Sequence, residues 1–203
     1  MTDLNRWTAW LLHAALVALL AACASAPPPV LLTLPPAGAA PAATPAVAPA
    51  SVRVLAVSRP EIPEYLVARR VRYRAEASTL GEWPDTVWAE RIEIGVAREF
   101  TNALHVRLPG WRLCEGSCSE QSPAAALQVA VTRMDYVRSE RRLEATARIT
   151  LWSTERAPRV LHSREFSVEI PGDADTPQSQ ARASTELLRR IAAEAATAVA
   201  ALP

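Results

Sequence analysis

The sequence contains no lysine: all 22 basic residues are arginines, and 21 acidic residues balance them to a formal net charge of +1. A chain so close to neutral gives no electrostatic argument for binding nucleic acid or a strongly acidic surface. The exclusive use of arginine, together with abundant alanine, is typical of a GC-rich genome and predicts no mechanism. Nucleic acid is therefore not an expected partner.

Histidine and glycine are also scarce, with three and six residues in 203. We find no nucleophile elbow, no glycine-rich phosphate loop and no paired-histidine motif. His105 and His162 lie in separate predicted elements, without the spacing of metal ligands. The sequence therefore predicts no catalytic residue, no metal site and no cofactor, and an enzyme is the least favoured class of function.

The apolar run near the N-terminus, residues 7–19, is shorter than the ~20 residues that a bilayer-spanning helix needs. It follows a short polar start and leads into Leu20-Ala21-Ala22-Cys23, the pattern of a lipoprotein signal. We therefore predict a signal peptide over residues 1–22 and fatty acylation of Cys23, as by palmitate. An ordinary cleaved signal with a chance cysteine is the alternative.

Acylation of Cys23 would set the location of the protein. Each buried acyl methylene contributes ~0.8 kcal/mol, so several chains on one cysteine hold a protein at a membrane essentially permanently. Ala24 follows the cysteine where aspartate would favour retention in the inner membrane. The expected location is the outer membrane of a Gram-negative bacterium, with the folded part facing the periplasm.

The two remaining cysteines, Cys114 and Cys118, lie in a predicted loop over residues 113–123. In an oxidising compartment a local disulfide between them is the favoured interpretation. Closing so short a loop stabilises the fold by only ~2 kcal/mol on the chain-entropy model. A metal site would need more ligands, and a redox pair would need a two-residue spacing and a helix N-terminus.

Residues 24–50 carry no charge and consist mainly of alanine and proline. Such a segment cannot bury enough apolar surface to offset its ordering entropy, so we predict an extended tether. Residues 30–34 form a short β-prone apolar run that could be a first strand. In that case Val30 lies only seven positions after Cys23, a reach of roughly 20–25 Å. Residues 51–203 are then one folded domain.

Alternation of apolar residues predicts strands near 52–57, 70–75, 127–136, 143–151 and 160–170. A shift of phase predicts a β-bulge near Thr132-Arg133, and residues 81–85 resemble a turn. Two long helices complete the pattern. The first is predicted from about 87 to 108, with Asp85 or Thr86 as its cap, and the second begins at Thr176-Pro177.

The first helix is predicted from a stripe of apolar residues at four-residue intervals: Trp88, Ile92, Val96, Phe100 and Leu104. Half-polar strands indicate a sheet with one solvated face and one face covered by helices. The expected fold is an α+β two-layer sandwich, with a mostly antiparallel sheet and two long helices packed on one face.

Two groups of residues are candidates for contact with a partner or with lipid. Trp83, beside a turn proline, could be an exposed anchor, although packing within the core is the commoner role of tryptophan. Arg70, Arg72 and Arg74 follow every second position of a strand and could meet anionic headgroups or an acidic partner. The plainer interpretation of this basic stripe is the solvated face of an edge strand.

Four short motifs follow one another along the chain: the lipobox with Leu31-Leu32-Thr33-Leu34-Pro35, then Pro63-Glu64-Tyr65-Leu66, Tyr73-Arg74 and Trp88-Ala89-Glu90. In this order they resemble the ABC-type transport auxiliary lipoprotein family, the PqiC-like proteins. The order of helices and strands is also similar to that of the family, so the resemblance covers almost all of the mature chain.

The resemblance implies a non-catalytic component of a transenvelope phospholipid transporter. In such systems an inner-membrane ATPase and permease work with periplasmic MCE (mammalian cell entry) domain proteins. The auxiliary lipoprotein at the outer membrane docks or stabilises the far end of the conduit, and copies of it could close into a ring. Two alternatives remain: an outer-membrane lipoprotein of another export machine, such as lipopolysaccharide assembly, and a periplasmic lipid-binding lipoprotein.

Overall fold

Stretches of alternating buried and exposed residues form the strands, and four-residue repeats of buried residues form the helices. The computed structural model describes residues 27–38, 52–116, 118 and 120–202, so the predicted signal peptide and Cys23 lie outside the described residues. The elements in chain order are β1 (Val30–Leu32), β2 (Arg53–Val57), β3 (Arg70–Glu76), β4 (Thr79–Trp88), α1 (Ile92–Arg107), β5 (Trp111–Glu115), β6 (Ala125–Val137), β7 (Arg142–Trp152), β8 (Val160–Pro171) and α2 (Pro177–Ala200). Short 3-10 turns span Glu64–Leu66 and Arg138–Glu140.

The central strand of the sheet is β6. It pairs antiparallel with β7, which pairs antiparallel with β8, so β8 forms one edge. On its other side β6 has two partners, because β2 pairs parallel with its first residues and β3 pairs parallel at Val137. The order continues from β2 to β5 and from β3 through β4 to β1. Strands β5 and β1 are therefore edges as well.

The predicted α+β fold is confirmed. Both helices contact each other and pack on the sheet around one hydrophobic core. The predicted meander is the antiparallel β6–β7–β8 unit, and the predicted bulge appears as a shift of register between Val131 and Arg133. Strands β1 and β2 pair parallel with their neighbours, so the sheet as a whole is mixed.

Helix α2 begins where the sequence predicts. The Thr176 side chain accepts a hydrogen bond from the Ser179 N–H at 3.2 Å, and Pro177 occupies the first helical turn. Its buried face includes Leu187, Leu188, Ile191, Ala195 and Val199. Among the residues described, neither helix combines the length and the apolar character needed to cross a membrane.

The predicted turn over residues 81–85 and the predicted helix start near residue 87 are wrong. Both regions belong to β4 (Thr79–Trp88), and α1 begins only at Ile92. Pro84 and Asp85 suggest a turn and a helix cap, yet they lie within the strand, where Asp85 has a φ of 47° and interrupts the alternation. Trp88 therefore ends a strand and is buried there.

The predicted loop over residues 113–123 is also shorter than expected. Residues 111–115 form β5, which pairs in parallel with β2 along its whole length. Cys114 is consequently a buried strand residue. The short length of β5 and its mixture of polar and apolar residues gave no alternation clear enough to predict it.

Candidate anchoring and docking site

The segment that follows β1 is fixed to the domain between the two helices. Leu34 and Ala37 are buried in the core. The Ala37 N–H donates a hydrogen bond to Oε2 of Glu99 on α1, over 2.8 Å. Because Glu99 is itself buried, this bond satisfies two polar groups that would each be costly to leave unpaired.

Helix α2 holds the same segment from the other side. The Thr185 hydroxyl donates to the Pro35 carbonyl at 3.0 Å, and Arg189 donates to the carbonyls of Pro36 and Ala37 at 2.9 Å and 2.5 Å. Proline has no N–H, so the carbonyl is the only backbone hydrogen-bonding group of Pro35 and of Pro36. We call this arrangement the tether clamp; it comprises residues 34–37, Glu99, Thr185 and Arg189.

The charge of Glu99 is balanced by its neighbour in α1. Arg98 donates from Nε to Glu99 at 2.9 Å and from Nη1 to Glu90 at 2.7 Å. The hydrogen bond from Arg98 holds the pKa of Glu90 below its ordinary value, and the two carboxylates raise the pKa of Arg98. The clamp is thus joined to Glu90, which lies between β4 and α1.

Trp83 does not lie on the surface, and the expectation of an exposed anchor is wrong. Its ring is buried between Tyr73, with centroids 5.1 Å apart, and the guanidinium of Arg138 at 4.3 Å. The indole Nε1 donates to Gln180 of α2 at 2.7 Å. The nearby proline, Pro84, belongs to a strand rather than to an exposed turn, which explains the difference.

The three arginines of β3 lie at different depths. Arg70 is open to solvent and pairs with Glu82 at 3.5 Å, whereas Arg72 donates to the Tyr65 carbonyl at 2.9 Å as well as to Glu82. Arg74 is mostly buried and pairs with Asp135 at 2.8 Å. The strand itself is internal, between β4 and β6, so the edge-strand interpretation is wrong. Of the three, Arg70 has the side chain most available to a partner or to lipid.

Asp135 joins several segments on the open face of the sheet. It accepts hydrogen bonds from Arg74 at 2.8 Å, from the Tyr65 hydroxyl at 3.0 Å and from Arg133 at 3.0 Å. Burial alone would raise its pKa, but the three donors outweigh burial and lower the pKa of Asp135 below its ordinary value. Burial raises the pKa of Tyr65, and the adjacent carboxylate adds to this effect. This cluster therefore acts as a structural bridge.

The structure joins Cys114 and Cys118 in a disulfide, with Cα atoms 6.0 Å apart. The bond connects the edge strand β5 to the loop that leads into β6. It lies next to a groove that has a volume of about 850 Å³ and is open to solvent.

That groove runs between α1 and the end of β2. Its lining mixes apolar Ile94 with the polar side chains of Arg59, Arg98, His105 and Glu115. His162 lies apart from it, on β8. Within the described part of the chain, no group of three histidine, cysteine, aspartate or glutamate residues could hold a metal ion. An open groove of this kind offers a contact surface.

Sequence reasoning missed Glu99, Arg189 and Asp135, which hold the site together. Glu99 carries a signal in retrospect, because it adjoins the apolar stripe at Val96 and Phe100 and a charged residue there must find a buried partner. Arg189 and Asp135 carry no such signal, since their partners lie far away in the sequence.

A sequence model of the family described as ABC-type transport auxiliary lipoprotein component matches residues 32–196. The chain belongs to this family. The resemblance carried by the short motifs is thereby confirmed, and so is the coarse function: an auxiliary lipoprotein component of ABC-type transport. A comparison with curated proteins gave no match.

Two solved structures share the fold of this auxiliary lipoprotein. One, an uncharacterized protein, has a TM-score of 0.64 and 18% identity over 75% of this chain and 95% of its own. The other, protein XCC0632 from Xanthomonas campestris, assigned to DUF330, has a TM-score of 0.58 and 18% identity over 83% of this chain and 90% of its own. At such identities the likeness concerns the fold alone.

The motifs that carry the family resemblance meet through long-range contacts. Tyr65 and Arg74 both bind Asp135, and Tyr73 packs on Trp83. Glu90 accepts a hydrogen bond from Arg98, which also binds Glu99 of the clamp. In this auxiliary lipoprotein the motif residues therefore support the sheet and the beginning of α1.

Proposed function

We propose that this protein is an outer-membrane-anchored, non-catalytic auxiliary lipoprotein of an MCE-type ABC transport system that moves phospholipids across the periplasm. It acts by docking onto the transenvelope conduit and stabilising it. The observation that carries the proposal is the family match, which spans the clamped tether segment, all of α1 and most of α2.

Anchoring depends on acylation of Cys23. The fatty acyl groups hold the chain at the inner leaflet of the outer membrane, since buried methylenes contribute additively to membrane affinity. The lipobox and the alanine at position 24 support this location. The clamp then connects the anchored segment to the core of the domain, so the membrane attachment and the folded module form one unit.

Docking requires surface that is open in the isolated chain. The long edge strand β8 and the groove beside α1 both provide it. Contacts with an MCE-domain protein at such surfaces need no catalytic group. Self-association into a closed ring around a tubular partner would repeat the same contact in each copy.

Capture of the acylated full-length chain at native expression levels tests the proposal. The chain is purified from its own envelope in mild detergent, and co-purifying proteins are identified by mass spectrometry. Enrichment of an MCE-domain protein is the expected result, and a Cys23→Ser variant should lose it. Enrichment of a β-barrel export protein instead, or a phospholipid retained by the unacylated chain in native mass spectrometry, would contradict the proposal.

A further inference from the structure

The first strand presents apolar side chains to solvent. Leu31 is 62% exposed, the highest value among the exposed large hydrophobic residues of the described chain, and Val30 follows at 50%, equal to Val160. Strand β1 is an edge, so nothing in the sheet covers its free side. Because side chains alternate along a strand and Leu32 is buried in the core, Leu31 points to the face that the helices leave open.

A cationic group lies in the same row as Leu31. Leu31 is in register with Val87 of β4, and Val87 is in register with Arg70 of β3. Residues in register share a face of the sheet, so Leu31 and Arg70 lie two strand spacings apart, about 10 Å. Arg70 has 56% of its side chain exposed, and Arg69 beside it is also exposed.

This combination fits one kind of surface. Apolar side chains insert between lipid headgroups, and nearby guanidinium groups bind phosphate oxygens. We propose that the β1 edge, with Leu31 on the open face and Arg69 and Arg70 near it, rests on the lipid headgroups of the membrane that holds Cys23. The inference depends on the acylation that forms part of the proposed function, and it adds the orientation of the domain.

The length of the chain supports this occupant. Val30 lies seven positions after Cys23, so the β1 edge cannot lie farther than roughly 25 Å from the acylated cysteine. The tether clamp prevents residues beyond β1 from adding to this length, because Glu99 and Arg189 bind Ala37 directly. The β1 edge therefore stays within reach of the lipid surface.

A second copy of the chain fits this edge less well. Addition of a strand depends on a series of main-chain hydrogen bonds. Strand β1 offers only three residues for such pairing, whereas β8 offers twelve. A strand-pairing partner is therefore expected to bind at β8. For the short apolar edge at β1, lipid is the occupant that fits better.

Site-directed spin labelling tests the proposal. The acylated full-length chain is reconstituted into vesicles of phosphatidylethanolamine and phosphatidylglycerol and labelled at Leu31→Cys. Val160→Cys is the control, because Val160 is also an apolar strand residue open to solvent, is 50% exposed and lies on β8 at another edge of the sheet. With Cys23 acylated and Cys114 bonded to Cys118, the introduced thiol is the reactive one.

At position 31 we expect accessibility to oxygen to rise and accessibility to a water-soluble nickel chelate to fall when the protein is on vesicles. The label at position 160 should remain accessible to the chelate. Replacing both Arg69 and Arg70 with glutamine should reduce the change at position 31 on vesicles that contain phosphatidylglycerol.

Three results would overturn the proposal. A label at position 31 as accessible to the chelate as the one at position 160 excludes lipid contact while the transport function stands. Protection from both oxygen and the chelate indicates a protein contact at β1. If mass spectrometry finds Cys23 unmodified, both the proposed anchoring and the proposed orientation are wrong.

Discussion

Glu99 accepts the N–H of Ala37 at 2.8 Å, and both residues are buried although 62 positions separate them in the sequence. This hydrogen bond attaches the segment behind the first strand to α1. It makes residues 34–37 part of the folded domain, where composition alone suggests a continuation of the tether.

Replacing Glu99 with alanine should open the clamp. The Ala37 N–H would stay buried without an acceptor, at a cost of ~1–3 kcal/mol in the free energy of unfolding. Hydrogen exchange at residues 30–37 should accelerate more than in α2. Glu194→Ala is the control, since Glu194 forms a solvent-accessible ion pair with Arg164. Equal exchange in both variants would show that Glu99 does not hold the segment.

Two adjacent arginines of α2 allow a second test of the clamp. Arg189→Ala removes both hydrogen bonds to the carbonyls of Pro36 and Ala37 and should lower the free energy of unfolding by ~1–3 kcal/mol. Arg190→Ala breaks an exposed pair with Glu186 and should cost less than ~1 kcal/mol. Urea denaturation distinguishes the two, and similar midpoints would contradict the assigned role of Arg189.

Asp135 should make stability depend on acid. Its pKa is lower in the folded state than its ordinary value of 3.8, so its ionised form stabilises the fold above that value. This contribution is lost as the pH falls from about 4 through the folded-state pKa. Asp135→Asn should reduce stability at neutral pH by ~3 kcal/mol and flatten the acid dependence, as measured by urea denaturation at several pH values. Asp175→Asn, at an exposed ion pair with Arg138, is the control. If the stability of the Asp135 variant falls with acid as steeply as that of the unmodified chain, the prediction is wrong.

Trp83 should matter for stability and not for partner binding. Trp83→Phe removes the indole donor to Gln180 and should cost ~1–3 kcal/mol, because a buried acceptor is left unsatisfied. Trp152→Phe is the matched control, since the Trp152 indole bonds to Gln128 at 3.3 Å in a partly exposed position. Under conditions where both variants are folded, both should capture the same partner as the unmodified chain. If only the Trp83 variant, although folded, fails to capture the partner, then Trp83 contacts the partner and the prediction is wrong.

Much of the fold follows from short-range signals. Thr176 and Pro177 set the start of α2 because a cap and a first-turn proline act on adjacent backbone groups. The alternation along residues 127–151 predicts β6 and β7 because one face of each strand is buried. These signals need no knowledge of the partner element.

Strand β4 was misinterpreted because tertiary contacts override its local signals. Gly81 suggests a turn, but a Cβ there would lie 2.5 Å from Cζ of Tyr73, so glycine makes room for that ring within a paired strand. Trp88 shares the four-residue spacing of α1 with Ile92, yet it ends the preceding strand. Periodicity cannot tell these cases apart.

The candidate site was the least predictable part. The clamp joins Glu99 and Arg189 to a proline-rich segment, and the pairs are separated by 62 and 152 positions in the sequence. The Asp135 cluster likewise depends on β3 lying beside β6. Neither alignment has a local sequence signature, so only the arrangement of the sheet and helices reveals it.

The parallel pairing of β1 with β4 affects how the protein withstands tension. A pull along the strand axis at the N-terminal side of Val30 would load the hydrogen bonds to residues 86–88 together in shear rather than open them one after another. Behind them the load would pass at Ala37 to both helices. If Cys23 is anchored as proposed, movements of the membrane would reach the core of the domain before the first strand separates from β4.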